Sequence, residues 1–345
     1  MTRDSEEIAA HYAGRRCLVT GGLGFIGSNL TVALVLAGAK VTVVDALIPT
    51  HGGLASNLPC DVRKSVDVRT IAIDDQSLGS AIAESEFIFN LAGQVSHVDS
   101  MVDPLNDLYL NCQSQIAFLE LVRRHQRAAK IVYSSTRQVY GRALTPMITE
   151  MHPTNPLDIN GISKLAADHA HRVYAVAHGL DTTILRLTNT YGPKLRLTTD
   201  RQGFLAVFIK QAMLGETISL YGDGLQRRDC LFVDDVVDAL LRAGSIPTPA
   251  GSVFNLGHDR SASLREIAEI LVGITGRGEV VTAPWPTDRE RIDVGSVAVS
   301  SALAQRDLGW NPAVELEEGL RRTVEYFDSI GGSKWLADQI AFAAQ

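Results

Sequence analysis

Gly21, Gly24 and Gly27 stand in the run Thr20-Gly21-Gly22-Leu23-Gly24-Phe25-Ile26-Gly27, directly after the apolar stretch Cys17-Leu18-Val19 and directly before a helical pattern. Glycines so placed suit a pyrophosphate. Gly21 permits a tight turn, Gly24 lets backbone amides approach the phosphates, and Gly27 lets the next helix pack closely on the strand. The anion then sits at the positive helix N-terminus, with Phe25 and Ile26 in its first turn. Further on, Asp45 closes a second β-rich stretch, Val41-Thr42-Val43-Val44. A carboxylate there accepts hydrogen bonds from adenosine ribose hydroxyls and repels a 2′-phosphate, so the expected cofactor is NAD rather than NADP. Asp67-Val68 is read as the end of a third strand, flanking the adenine. Leu91-Ala92-Gly93 ends a fourth with small residues that admit a cofactor closely.

These residues need a scaffold, and the hydrophobic pattern supplies one. Apolar runs rich in β-branched residues recur at 17–20, 41–44, 87–91, 130–134 and 182–187, separated by segments of helical periodicity. Alternating β and α elements predict an α/β fold, a doubly wound parallel-sheet Rossmann domain with a smaller interleaved α/β substrate-binding lobe. Helices are expected over 30–36, 105–124 and 162–178. The last two are long and apolar enough to pack against a second copy, so a homodimer is expected. After Tyr191-Gly192-Pro193 the chain becomes looser and more basic through Lys194, Arg196 and Arg201. The expected division is an NAD-binding domain over 14–190, to which segments near 229–258 return, and a substrate lobe from 191–228 and 259–325.

A chain of 345 residues can bury a full core. Its formal charge of −7 argues against broad binding to nucleic acid or anionic lipid, and points to a small ligand met by individual arginines. Cys17, Cys60, Cys112 and Cys230 are scattered with no CxxC pair, so neither a metal site nor a disulfide framework is expected. The first sixteen residues lack the apolar core of a secretion signal, and no run is long enough to span a bilayer. A soluble, cytoplasmic protein is expected.

Together with Tyr133-Ser134-Ser135-Thr136, Val139-Tyr140-Gly141, Leu185-Arg186-Leu187-Thr188-Asn189 and Arg228-Asp229 through Val236, these segments resemble the extended short-chain dehydrogenase/reductases. Within them the chain looks like the NAD-dependent nucleotide-sugar epimerase/dehydratase family, from about residue 15 to about residue 325. The resemblance implies that a nucleotide-diphosphate sugar lies across the cleft, that its C4 hydroxyl is oxidised by hydride transfer to NAD, and that the keto sugar is altered and reduced again. Family members use a Tyr-x-x-x-Lys pair, the lysine holding the nicotinamide ribose and lowering the tyrosine pKa, together with a serine or threonine on the same sugar oxygen. Thr136 matches the hydroxyl residue and Lys164 the lysine, but the tyrosine position is Asn160. None of the eight tyrosines has a lysine four positions later. An amide cannot act as a base near neutral pH, so His97, Glu150, His152, Asp158 and Tyr191 are candidates to replace it.

The resemblance also narrows the reaction. Sugar 4,6-dehydratases of this family carry an acid pair where this chain has Arg137 and Gln138, and uronate decarboxylases keep a glutamate at the place of Gln138. A 4-epimerase needs no such pair, and is the expected activity. The alternatives are a decarboxylase or dehydratase with a rearranged acid/base set, and a protein that binds NAD and a sugar nucleotide without turnover. Arg137, beside the reacting carbon, would grip a uronate carboxylate. For the diphosphate, the resemblance points to Arg228, to Arg289 or Arg291, and to Asn189.

Overall fold

The computed structural model describes residues 3–49, 51, 53–286 and 293–343. Its strands are β1 (Arg16–Thr20), β2 (Lys40–Val44), β3 (Asp67–Arg69), β4 (Phe87–Asn90), β5 (Lys130–Thr136), β6 (Asp181–Leu187), β7 (Asn189–Tyr191), β8 (Thr217–Tyr221), β9 (Arg227–Phe232), β10 (Ser252–Leu256), β11 (Ser261–Ser263) and β12 (Glu279–Ala283). Seven form one sheet in the order β10-β6-β5-β4-β1-β2-β3, and every neighbouring pair is parallel. Parallel neighbours require crossovers, and the helices that supply them cover both faces.

The two-residue period of the strands divides the core. Cys17, Val19, Phe87 and Phe89 face one side, under the helices Phe25–Leu36 and Val233–Ser245. Leu18, Ile88 and Ile131 face the other, under Gly79–Glu84 and Ser114–His125. From β1 the chain winds outward through β2 and β3, then returns to β4 on β1's other side. That reversal opens a crevice at the carboxyl ends of β1 and β4, where ligands bind in open sheets of this kind.

Beyond β6 the small sheets β11-β9-β7 and β12-β8 carry a separate core. Leu205, Phe208 and Ile209 of the helix Phe204–Leu214 pack there with Ile267 and Leu271 of Leu264–Thr275 and with Leu320 and Phe327 of Leu316–Ser329. β10 then rejoins the large sheet beside β6.

Three local expectations are corrected. The first helix begins at Phe25, not at residue 30, because it starts directly on the glycine turn. The helix expected over 105–124 is broken into Pro104–Leu108, a π-helical turn Tyr109–Gln113, and Ser114–His125. Asp67 opens β3 rather than ending the strand. Parallel register sets it beside Thr42, short of Asp45, and it is ion-paired to Arg69 at 2.9 Å. Among the described residues no helix is long and apolar enough to cross a membrane.

One buried ion pair joins the helix Ile159–His178 to the sheet. Asp168 takes Arg186 Nε at 2.8 Å and Nη2 at 3.3 Å, and the hydroxyl of Ser135 at 3.1 Å. Arg186 Nη1 donates to the Tyr140 hydroxyl at 2.7 Å, which donates to Asn255 Oδ1 at 2.7 Å. Removing one member of a buried pair leaves the other charge uncompensated. Asp168→Ala is therefore expected to lower stability by about 3–5 kcal/mol in denaturant unfolding, with Arg186→Ala similar and the double variant less than additive.

Candidate active site

The crevice holds a cavity lined by Gly21, Gly24, Phe25, Ile26, Gly27, Asp45, Leu91, Ala92, Gly93 and Lys164. Gly21 has a positive φ of 65°, and a Cβ there would come within 2.9 Å of Ala92 N. Only glycine makes this turn without strain. At Gly27 a Cβ would overlap the Gly21 carbonyl, so the helix could not keep its approach to the turn.

Asp45 is half-buried at the end of β2. Its Oδ2 accepts from Leu23 N at 3.1 Å and its Oδ1 from Leu47 N at 2.9 Å, which pins the carboxylate at the cavity wall. Burial raises its pKa, and the two amide hydrogen bonds oppose that shift. The structure does not bring Asp67 and Val68 to this wall. Ala72, Ile73 and Asp74 line it there instead, since the carboxyl end of the edge strand, not its start, lies level with Asp45. Arg196 also lines the cavity, and its Nη1 is buried with no hydrogen-bond partner. A glycine-walled helix N-terminus, a ribose-height carboxylate and an unmatched guanidinium N–H fit a dinucleotide diphosphate. Sequence reasoning noted Arg196 only as part of a basic stretch. Nothing in its spacing marked it for this cavity.

Lys164 lines this cavity, and its Nζ reaches β5 at the carbonyl of Ser134, two residues before Thr136. Thr136 ends β5, where its Oγ1 accepts from Gln138 N at 3.2 Å and starts the turn Arg137–Tyr140. Lys164 is buried on the helix Ile159–His178, its Nζ 3.3 Å from the carbonyl of Ser134 and 5.3 Å from the Tyr133 ring centroid. Burial pulls its pKa down to about 8, with the charge of Asp107 acting the other way.

Asn160 is buried and is not among the residues that line the cofactor cavity. Its Nδ2 lies 3.0 Å from the Gln94 carbonyl, 3.1 Å from Gln94 Oε1 and 3.0 Å from Asp107 Oδ2. Asn111, in the π-helical turn, joins the same cluster, donating to Gln94 O at 3.0 Å and to Asp107 Oδ2 at 3.1 Å. Asp107 was not anticipated. It is fully buried, and its Oδ1 has no partner.

The five candidate bases separate on geometry. Tyr191 is buried in the lobe core, donates to Leu316 O at 3.2 Å, and burial pushes its pKa up. His152 is committed at both nitrogens, accepting from Leu144 N at 3.0 Å and lying 2.8 Å from Pro153 O. Glu150 accepts from Asn255 N at 2.8 Å, near the Tyr140–Arg186 contact. Asp158 caps the helix through Gly161 N at 2.7 Å, and His97 is its electrostatic neighbour. None of the five lines the cofactor cavity; Lys164 does.

Arg137 and Arg228 lie close enough for each charge to be felt by the other. Arg228 is buried, bonded to the carbonyls of Arg227 and Gly295 and, at 3.3 Å, to Asp293 Oδ1. Burial and then Arg137 lower its pKa to about 10. Asn189 Nδ2 donates to Asp229 O at 3.0 Å, on the neighbouring strand. Arg289 and Arg291 lie outside the described residues.

Fold and crevice define a dinucleotide-dependent enzyme of the α/β type. The model of the NAD-dependent epimerase/dehydratase family matches residues 17–257. A UDP-glucose 4-epimerase of Mycolicibacterium smegmatis is 33% identical over 319 residues, covering 90% of this chain and 98% of that protein. The crystal structure of a UDP-glucose 4-epimerase of Thermotoga maritima with UDP-glucose aligns at a TM-score of 0.83 and 32% identity, over 91% and 99% of the two chains. That of MoeE5 in complex with UDP-glucuronic acid and NAD aligns at 0.80 and 27%, again over 91% and 99%. The chain belongs to the NAD-dependent epimerase/dehydratase family, whose members act on nucleotide sugars.

Asp45→Ala is expected to weaken NAD binding about tenfold, the loss of hydrogen bonds to a charged acceptor, and to narrow the preference over NADP. Parallel fluorescence titrations with the two cofactors check this, and unchanged discrimination would count against the role of Asp45.

Proposed function

We propose that the protein is an NAD-dependent epimerase acting at C4 of a nucleotide-diphosphate sugar, with Lys164 taking the proton that tyrosine takes elsewhere in the family. The observation that supports this reading is that Lys164 Nζ lies against β5 at Ser134, two residues before Thr136, and that Thr136 is followed by positions 137 and 138, which hold no acid or carboxylate. Relatives include epimerases acting on uncharged sugars and a neighbour crystallised with UDP-glucuronic acid, so the family's chemistry spans both kinds.

The glycine turn, Asp45 and Arg196 would hold NAD, which when bound would accept the C4 hydride and later return it. Thr136 Oγ1 hydrogen-bonds the C4 oxygen. Lys164, in its neutral form, takes the hydroxyl proton and returns it once the keto sugar has presented its other face. Nothing further is required of acid or base, because no bond other than C4–H and O–H is remade. Asn160 holds Asp107 in the wall behind Lys164, where the carboxylate keeps the ammonium form accessible and the proton exchangeable. Arg228 and Asn189, with Arg289 or Arg291, are assigned to the diphosphate, between the sheet domain and the lobe of 191–228 and 259–325.

A base must be unprotonated to act. Below a pKa of about 8 Lys164 carries its proton, so the oxidation rate is expected to rise about tenfold per pH unit up to that region and then level. Reduced nicotinamide absorbance, read after mixing NAD-loaded protein with UDP- and dTDP-linked hexoses and uronates across pH 6–10, reports it. Lys164→Gln should abolish the absorbance change. Persistence of the same pH limb in that variant would refute the assignment, and sugar binding without reduction or product at any pH would indicate a binding protein instead.

We also propose that two copies pair through one face. Ile162, Val173 and Val176 share a stripe of the helix Ile159–His178 and are 49%, 58% and 88% exposed, beside exposed Met101, Val102 and Leu105. Exposed large apolar side chains grouped on one helix face suit a protein partner. Replacing Val173 and Val176 with glutamate should halve the mass seen by light scattering.

A further inference from the structure

Arg137 follows Thr136 directly and is only 8% exposed, yet among the described residues it forms no hydrogen bond or ion pair, and its Nη1 is buried without a partner. The acids around it are already engaged. Asp229, the strongest opposing charge, receives the Thr188 hydroxyl at 2.5 Å on Oδ1 and Val299 N at 3.1 Å on Oδ2. Asp158 caps its helix through Gly161 N, and Asp293 is shared between Arg228 and Gly295 N. A second buried guanidinium, Arg228, adds repulsion. Burial already works against the charged form of Arg137. A permanently charged fork buried with free N–H groups suits an anionic ligand.

The position of the fork selects the anion. In the nucleotide-sugar reading Thr136 holds the C4 oxygen, so the fork one residue along the chain is matched to the substituent on the neighbouring ring carbon, and the one anionic substituent a hexose commonly bears beside C4 is the C6 carboxylate on C5. We propose that the sugar is a uronate, its carboxylate gripped by Arg137 while the nucleotide diphosphate is held further along by Arg228. This rests on the nucleotide-sugar reading above. It also bears on the product. A 4-keto uronate is a β-keto acid, and losing carbon dioxide requires the carboxylate's negative charge to move into the ring. An ion pair fixed on that carboxylate opposes the movement, so the sugar keeps all its carbons and returns as the epimeric uronate, hydride and proton restored to C4 and its oxygen.

The test uses the NAD-loaded protein with UDP-glucuronate and UDP-galacturonate against UDP-glucose and UDP-galactose, and their dTDP counterparts, by calorimetric titration and mass analysis of products. The expected result is at least a tenfold preference for the uronates, with product mass equal to substrate mass. In Arg137→Ala the preference should collapse to within about threefold, and in Arg137→Lys, which keeps charge but not the fork, it should fall in between. Melting temperature and NAD affinity identify a variant that misfolds, and in that case the preference of the unaltered protein decides alone. Turnover of neutral hexoses as good as that of uronates, equal weakening of both by Arg137→Ala, or a product lighter by carbon dioxide overturns the inference while leaving the nucleotide-sugar reading intact. Binding of none of these sugars overturns both.

Discussion

Asp168 and Arg186 fix the elements that carry Thr136 and Lys164. The pair is buried, so its geometry is enforced by the penalty of separating two charges in a poorly polarisable interior. Each partner has a neighbour at the site. Lys164 lies one helical turn before Asp168, on the same side of the helix, and Ser135, which also donates to Asp168, is next to Thr136. In register, Ser135 stands opposite Arg186. Helix, β5 and β6 are thus pinned at one point, one helical turn from Lys164 and one residue from Thr136. The extension through Tyr140 to Asn255 carries this constraint to the turn that bears Arg137 and to the outer strand β10.

The charge arrangement runs opposite to the overall balance. The chain has a net charge of −7, yet Arg137, Arg228 and the tip of Arg196 are directed inward. Two of these have buried N–H groups with no partner, a state that protein interiors generally avoid. An acidic exterior around inward cations admits an anionic ligand by specific contact rather than by general attraction, which matches a small sugar nucleotide better than a polyanion.

The sheet was legible because its strands are continuous β-branched runs and its first crossover begins with glycines whose spacing has a mechanical reason. Cys17 to Thr20 and Val41 to Val44 needed no tertiary information. The edge strand β3 was misread at its end, since three residues carry no period and only pairing with β2 sets their height. The π-helical turn at Tyr109–Gln113 leaves the apolar pattern almost unchanged while inserting one residue per turn, and so escaped notice. The roles of Asp107 and Arg196 were hidden for another reason: each has one buried polar atom without a partner, a property of packing that no spacing encodes. Asn160, by contrast, was noticed at once as a departure, but the cluster it joins with Gln94 and Asp107 spans three distant segments.

The Asp45 carboxylate has a second employment that bears on how this family could change cofactors. It is the only acceptor described for the amides of Leu23 and Leu47, one on each loop bordering the cavity. A chain drifting toward a phosphorylated cofactor would therefore have to replace a structural acceptor at the moment it removed a repulsive charge. Cofactor choice is then protected against single-step drift by loop architecture, and the exchange requires a compensating acceptor to arrive first or to come from the incoming phosphate itself.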